Sequence, residues 1–243
     1  MDLKSKIILI YGPTASGKSK FAVKLAKKIG GEIINADSMQ VYKELKILSA
    51  RPFTKEYDKI KHHYFGFKNA KKKFSTGEWL KLVNKKIIEL KSKKKVPILV
   101  GGTGLYFKAL TEGLVKIPNI PIKFRTKVRS LHKKLGSKEF FSRLIKLDPL
   151  VINRIKSTDT QRLMRAYEIK LFTKKSMYEW FKNTKSDYEQ RDFYKIYIDY
   201  PKDELIRKIN VRVNEMIEKG AIKEVKKFMD LKVPKNMTAS KAI

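Results

Sequence analysis

At 243 residues, 42% of them hydrophobic, the chain is long enough to bury a core, and no apolar run approaches the roughly 18 residues a membrane span needs. Cysteine is absent, which excludes disulfides, thiolate metal sites and cysteine nucleophiles. Fifty-seven Lys and Arg against 24 Asp and Glu give a formal charge of +33, a field suited to a polyanion such as nucleic acid, although only ten of the 57 are Arg and a lysine excess also arises from compositional bias.

The first predicted element is an apolar strand, Ile7 to Tyr11, too short for a secretory leader, so a cytoplasmic protein with no membrane segment is expected. It runs into Gly12-Pro13-Thr14-Ala15-Ser16-Gly17-Lys18-Ser19, after which Phe21, Ala22, Leu25, Ala26 and Ile29 recur at helical spacing. Strand, Gly-x-x-x-x-Gly-Lys-Ser and helix together make a P-loop. The glycines let backbone amides turn toward an anion, and the helix N-terminus and the Lys18 ammonium add positive charge. Ser19 can offer its hydroxyl to a magnesium ion.

Gly30-Gly31 closes that helix, and Glu32 to Ala36 reads as a second strand ending at Asp37. If the sheet is parallel, Asp37-Ser38-Met39-Gln40-Val41-Tyr42 leaves it at the same edge as the P-loop, where open α/β sheets bind ligands. Capping of a following helix by Asp37 or Ser38 is an equal alternative. Ala50-Arg51-Pro52 gives a loop and His63 to Phe67 a short strand. Nothing places carboxylates at metal spacing around His62, His63 or His132, which read as ordinary residues.

Ser75-Thr76-Gly77-Glu78 opens a helix with Trp79, Val83, Ile87 and Leu90 inward. Val96 to Val100 is a third strand, followed by a second glycine loop, Gly101-Gly102-Thr103-Gly104, and a helix from Leu105. Helical patterns without strands then run over 123–135, 138–147, 161–171 and 177–181. Tyr194 to Asp199 returns to strand, and Pro201 opens a long helix with Leu205, Ile206, Ile209, Val213, Met216 and Ile217 facing in. Gly220 ends it and Ile222 to Leu231 forms another. The expected architecture is α/β: a P-loop NTPase-like parallel sheet core, 1–117 and 193–243, around a helical insertion, 118–192.

A P-loop by default binds a nucleoside triphosphate such as ATP for hydrolysis or phosphoryl transfer. Such enzymes usually hold magnesium with a second strand-end acid, yet the third strand ends in Gly101-Gly102-Thr103, and the strand-end acid is Asp37. The anion site therefore also suits diphosphate as a leaving group.

The P-loop, Asp37-Ser38-Met39-Gln40-Val41-Tyr42, Ala50-Arg51-Pro52, Gly101-Gly102-Thr103-Gly104-Leu105-Tyr106 and Asp159-Thr160-Gln161-Arg162 occur in the order seen in tRNA dimethylallyltransferases, which the chain resembles along nearly its whole length. The resemblance implies transfer of a dimethylallyl group from dimethylallyl diphosphate to the exocyclic amine of the adenine 3′-adjacent to the anticodon, with release of diphosphate and with magnesium as cofactor. It implies that the insertion grips the anticodon stem-loop of tRNA; separately from the resemblance, a monomer is expected. Implied roles are Asp37 as general base, Thr14 at the bridging oxygen, and Lys18 and a closing Arg212 on the diphosphate held by Gly12 to Ser19. Asp37, Ser38, Met39, Gln40, Thr103, Arg125, Gln161, Arg162, Leu163, Met164 and Arg165 are implied tRNA contacts, and Ser19 the metal ligand. The family continues past Ile243 with further helices, so the chain reads as truncated. The alternatives are an isopentenyltransferase using free adenine nucleotide, a small-molecule P-loop kinase, and a basic RNA-binding module with a vestigial P-loop.

Overall fold

Five strands, β1 (Ile7–Tyr11), β2 (Gly31–Asn35), β3 (His62–His63), β4 (Val96–Val100) and β5 (Phe193–Tyr197), form one parallel sheet in the order β3-β2-β4-β1-β5 in the computed structural model, which describes residues 3–235 and 237–242. Ile243, the last residue of the expected truncation point, lies outside the described residues. Register pairs Ile8 with Ile98 and with Tyr194, and Ile33 with Ile98 and with His62. The strands β1 and β4 are apolar on both faces because helices cover both, and β2 shares this at Ile33 and Ile34 while carrying the buried polar residues Glu32 and Asn35. Ile8, Ile10, Ile33, Ile98 and Val100 pack with Ala22, Val23 and Ala26 of α1 (Lys18–Ile29). Ile7, Leu9, Ile34 and Leu99 pack with Trp79, Val83, Ile87 and Leu90 of α2 (Thr76–Ser92) and with Tyr106 and Leu110 of α3 (Gly104–Glu112). This is the P-loop NTPase-like α/β sheet expected from the sequence.

Since all five strands are parallel, the C-terminal ends of β1, β2 and β4 deliver Gly12, Asp37 and Gly101 to one sheet edge. The start of α2 follows the predicted chemistry: Ser75 Oγ accepts from the Glu78 amide at 3.2 Å while a Glu78 carboxylate oxygen accepts from the Ser75 amide at 2.9 Å.

The chain divides into two compact units, one comprising residues up to 111 and from 187 onward, the other 112–186. The second unit holds α4 (Ile122–Leu147), α5 (Thr160–Thr173) and α6 (Met177–Lys182) around Ile120, Val128, Phe140, Leu144, Val151, Leu163, Ala166 and Ile169. The two helices expected over 123–147 are continuous apart from an interruption at Gly136, whose φ of 73° and ψ of 169° are non-helical.

Three local expectations change. The short strand is His62–His63 and not His63–Phe67, because Tyr64 (φ 65°) and Gly66 (φ 55°) leave extended geometry. No helix follows Asp37; its side chain caps a turn instead. Most informative is the long helix α7 (Lys202–Glu218), which has no fully buried residue. Leu205, Ile209 and Met216 are half-buried along one stripe, but Ile206, Val213 and Ile217 are 47–50% exposed, because the helix leans on the rest of its unit along that single stripe. It is followed by α8 (Ala221–Asp230). Among the described residues no helix is long and apolar enough to cross a membrane.

Candidate active site

The P-loop turns between β1 and α1. A Cβ on Gly12 (φ 152°) would lie 2.5 Å from the Ile198 carbonyl oxygen, so the loop fits against the β5 exit only with glycine there. Residues 12–19 line a cleft of about 1030 Å³. Ser16 Oγ is buried in this loop without a hydrogen-bond partner, the kind of orphan that a phosphate oxygen satisfies. Lys18 Nζ is folded over the loop, donating to Gly12 O at 2.9 Å and to Pro13 O. Thr14 and Ser19 are exposed along the same wall.

The facing wall is built on the β2 exit. Asp37 Oδ1 accepts from the amides of Met39 (2.8 Å) and Gln40 (3.3 Å), which fixes the carboxylate and leaves Oδ2 open among the described residues. Thr103 Oγ1, from the second glycine loop, accepts from the Ser38 amide at 2.9 Å and lies 3.3 Å from Ser38 Oγ. Gln40 Nε2 donates to Ser49 O and Ala50 O at 3.0 and 3.2 Å, so its amide nitrogen is already committed within the protein. Asp37, Ser38, Met39, Gln40 and Thr103 all line the cleft.

Arg212 reaches the cleft from α7. It sits on the stripe of Leu205, Ile209 and Met216, the face of the helix that meets the unit, and donates to Ala50 O at 3.3 Å. Burial pulls its pKa below the usual arginine range, opposed by Glu215, Glu56 and Asp37. Burial likewise lowers Lys18, with Asp37 raising it and Arg212 lowering it further. The mutual influence of Lys18, Asp37 and Arg212 marks the three as electrostatic neighbours, with two cations and one acid around one space.

A cation in this cleft would have few protein ligands: the described residues contain no cluster of three or more His, Asp or Glu that could hold a metal. The exposed Ser19 hydroxyl fits a magnesium ion that takes its remaining oxygens from a diphosphate and water.

The other candidates belong to the second unit. Gln161 and Arg162 are exposed on the first turn of α5, where Asp159 accepts from the Arg162 amide at 3.1 Å. Arg165 pairs with the buried Glu168 at 3.4 Å, and Arg125 on α4 has a buried Nε without a partner. Leu163 corrects the expected run of contacts: it is fully buried in the core of this unit, and Met164 packs against that core, so the helical period removes the Leu163 side chain from any RNA-facing surface.

Asn35 was not anticipated. It is fully buried at the end of β2; its Oδ1 accepts from the Asp37 amide at 2.9 Å, and its Nδ2 donates to Asp37 O at 3.0 Å and Tyr64 O at 3.1 Å. Trp79 Nε1 in turn donates to Asn35 O at 2.9 Å while its ring stacks on Tyr106 at 4.2 Å. The available signal was a lone amide closing the apolar run Ile33-Ile34, two residues before the acid.

The IPP transferase family model matches residues 40–243. The chain is 59% identical to a tRNA dimethylallyltransferase of Pelagibacter ubique over all of its own length and 78% of that protein. It is 40% identical to the Hyphomonas neptunium tRNA dimethylallyltransferase, covering 97% of this chain and 75% of that one. Among solved structures it is similar to the full-length tRNA isopentenylpyrophosphate transferase of Bacillus halodurans (32% identity, TM-score 0.64, 98% of this chain and 74% of that one). It is also similar to a eukaryotic dimethylallyltransferase captured acting on tRNA (28%, TM-score 0.80, 96% and 58%).

Proposed function

The chain belongs to the IPP transferase family, and we propose that it acts as a tRNA dimethylallyltransferase, moving a dimethylallyl group from its diphosphate onto the N6 amine of the adenine 3′-adjacent to the anticodon. The observation that carries this reading is the convergence of the P-loop, Asp37 and Arg212 on one cleft. The bond from the allylic carbon to the bridging oxygen breaks, diphosphate leaves with the electron pair, the adenine nitrogen bonds that carbon, and the nitrogen's proton passes to Asp37 Oδ2.

As the bond breaks, negative charge collects on the diphosphate. Loop amides, Lys18 and Arg212 meet it in a partly desolvated site, and Thr14 serves the bridging oxygen. A magnesium ion held by Ser19 supplies further charge neutralisation when bound. The adenine amine is poorly basic because its lone pair is delocalised into the ring, so removal of its proton by Asp37 is worth about 10² to 10⁴ in rate. The base has to leave its stack to reach Asp37, at a cost of a few kcal/mol. The helical unit, with Arg125, Gln161, Arg162 and Arg165, serves as the grip on the anticodon stem-loop. The enzyme works as a cytoplasmic monomer.

Incubation with labelled dimethylallyl diphosphate, magnesium and unmodified tRNA should place label in the anticodon loop. Label on free adenine nucleotide instead, or nucleoside-triphosphate turnover without transfer, would replace this reading. Asp37→Asn should abolish transfer while tRNA affinity stays close to wild type.

A further inference from the structure

We propose that Glu224, outside the cleft chemistry, is a positioning residue for Arg212 and Gln40, and that it acts through the turn 46–50. The inference rests on the cleft's reading as a diphosphate site. Glu224 lies in the first turn of α8, and its carboxylate accepts from three consecutive backbone amides: Lys46 at 3.0 Å, Ile47 at 2.9 and 3.0 Å, and Leu48 at 2.9 Å. Three successive amides aimed at one point form a concave anion site, and a carboxylate seated in it makes charge-assisted bonds stronger than neutral ones.

Those amides open a tight turn. The Ala50 amide returns to Ile47 O at 2.8 Å and the Arg51 amide to Lys46 O at 3.0 Å, with Ala50 in the left-handed region at φ 49°. A residue with a Cβ holds that conformation only where its surroundings enforce it. The far end of the turn faces the cleft: Ser49 O and Ala50 O take Gln40 Nε2, and Ala50 O also takes Arg212 Nη2. Glu224 therefore grips the donor end of a turn whose acceptor end holds a cleft cation and a cleft amide. Because α7 and α8 are consecutive, with Gly220 between them at φ 96°, the turn also ties the two helices that carry Arg212 and Glu224 to the sheet-edge loop. This matters for α7 in particular, which has no fully buried residue to fix it. Arg212 is thus held by a hydrogen-bonded clasp as well as by the stripe of α7 that meets the unit.

The test is inorganic diphosphate affinity by titration calorimetry, with transfer kinetics alongside, for Glu224→Ala, Glu224→Gln, Arg212→Ala and the Glu224→Ala/Arg212→Ala double variant. Glu224→Ala should weaken diphosphate binding about tenfold, and the double variant should bind no more weakly than Arg212→Ala alone, since two residues acting through one contact do not add. Glu224→Gln keeps one acceptor but turns an NH2 donor toward a backbone N–H, so it should recover only part of the affinity, with a loss of about fivefold expected, and it carries the test if the alanine variant does not fold. Wild-type affinity in both Glu224 variants, or losses that add in full to that of Arg212→Ala, would overturn the proposal. Failure of the wild-type chain to bind diphosphate would instead remove the reading of the cleft itself.

Discussion

Gly101→Ala offers a direct check on how the catalytic acid is held. A Cβ at Gly101 would sit 2.1 Å from Ala36 O, 2.2 Å from Ala36 C and 2.8 Å from the Asp37 amide nitrogen, short of an ordinary 3.4 Å contact by about 1.3 Å at the nearest atom. Nothing flexible can give way, because the obstacle is the peptide joining Ala36 to Asp37. That peptide is held at both ends: its carbonyl, Ala36 O, accepts from the Thr103 amide at 3.3 Å, and its N–H, that of Asp37, donates to Asn35 Oδ1 at 2.9 Å. The strand end therefore shifts, and Asp37 with it, by something near 1 Å. A misplacement of that size costs about 10² in rate, or about 2.7 kcal/mol on the barrier, beside an overpacking cost of about 1–3 kcal/mol in stability. Single-turnover transfer to an anticodon stem-loop should fall about a hundredfold, while calorimetric diphosphate affinity stays within about twofold because residues 12–19 are not touched. Transfer at the wild-type rate would refute the reasoning, as would an equal loss of diphosphate affinity, which would place the effect on the P-loop through the Gly101 amide's bond to Ile10 O.

Trp79→Phe keeps a ring on Tyr106 but deletes the buried donor to Asn35 O, so urea unfolding should show a loss of about 1–3 kcal/mol; an unchanged midpoint would mean that bond contributes nothing. Burial lowers the His62 pKa below its ordinary 6.5, with its ring stacked on Tyr57 at 3.8 Å and bonded to Ile60 O. The unfolded chain then binds the proton more readily, so His62 contributes stability that is complete above 6.5 and is lost as pH falls below it. Denaturation midpoints at about pH 7.5 and pH 5.5 should differ less in His62→Gln than in wild type. Arg162→Ala removes a cation whose side chain is 71% exposed, and should lower the slope of log affinity for tRNA against log salt by about 1 without altering melting. Arg165→Ala should in addition lower the melting temperature, since the carboxylate of Glu168, with its side chain 6% exposed, loses its partner.

The P-loop, the strand-end acid and the inward stripe Trp79, Val83, Ile87 and Leu90 were all legible in the chain, because each is a local pattern: a spacing that one strand, loop or helix imposes on consecutive residues. The same locality is why the motif cannot show that the Leu163 side chain is buried. A motif names a run of residues, and the helical period then sends one of them into the core. The apolar pattern of α7 foretold a helix but not its cover, since burial depends on what the rest of the unit brings against it, and only the stripe containing Arg212 meets a partner. Asn35 beside Asp37 leaves only the faint signal of one amide closing an apolar run, and Glu224 reaching residues 46–48 across 176 to 178 positions of sequence carries no local signature at all. Sequence by itself determined which chemistry is present and to which sheet edge it is sent, because a parallel strand commits its following loop to one end. Only the tertiary structure decided what holds those groups in place, because hydrogen bonds between distant segments depend on where the chain returns in space, not on the spacing of its residues.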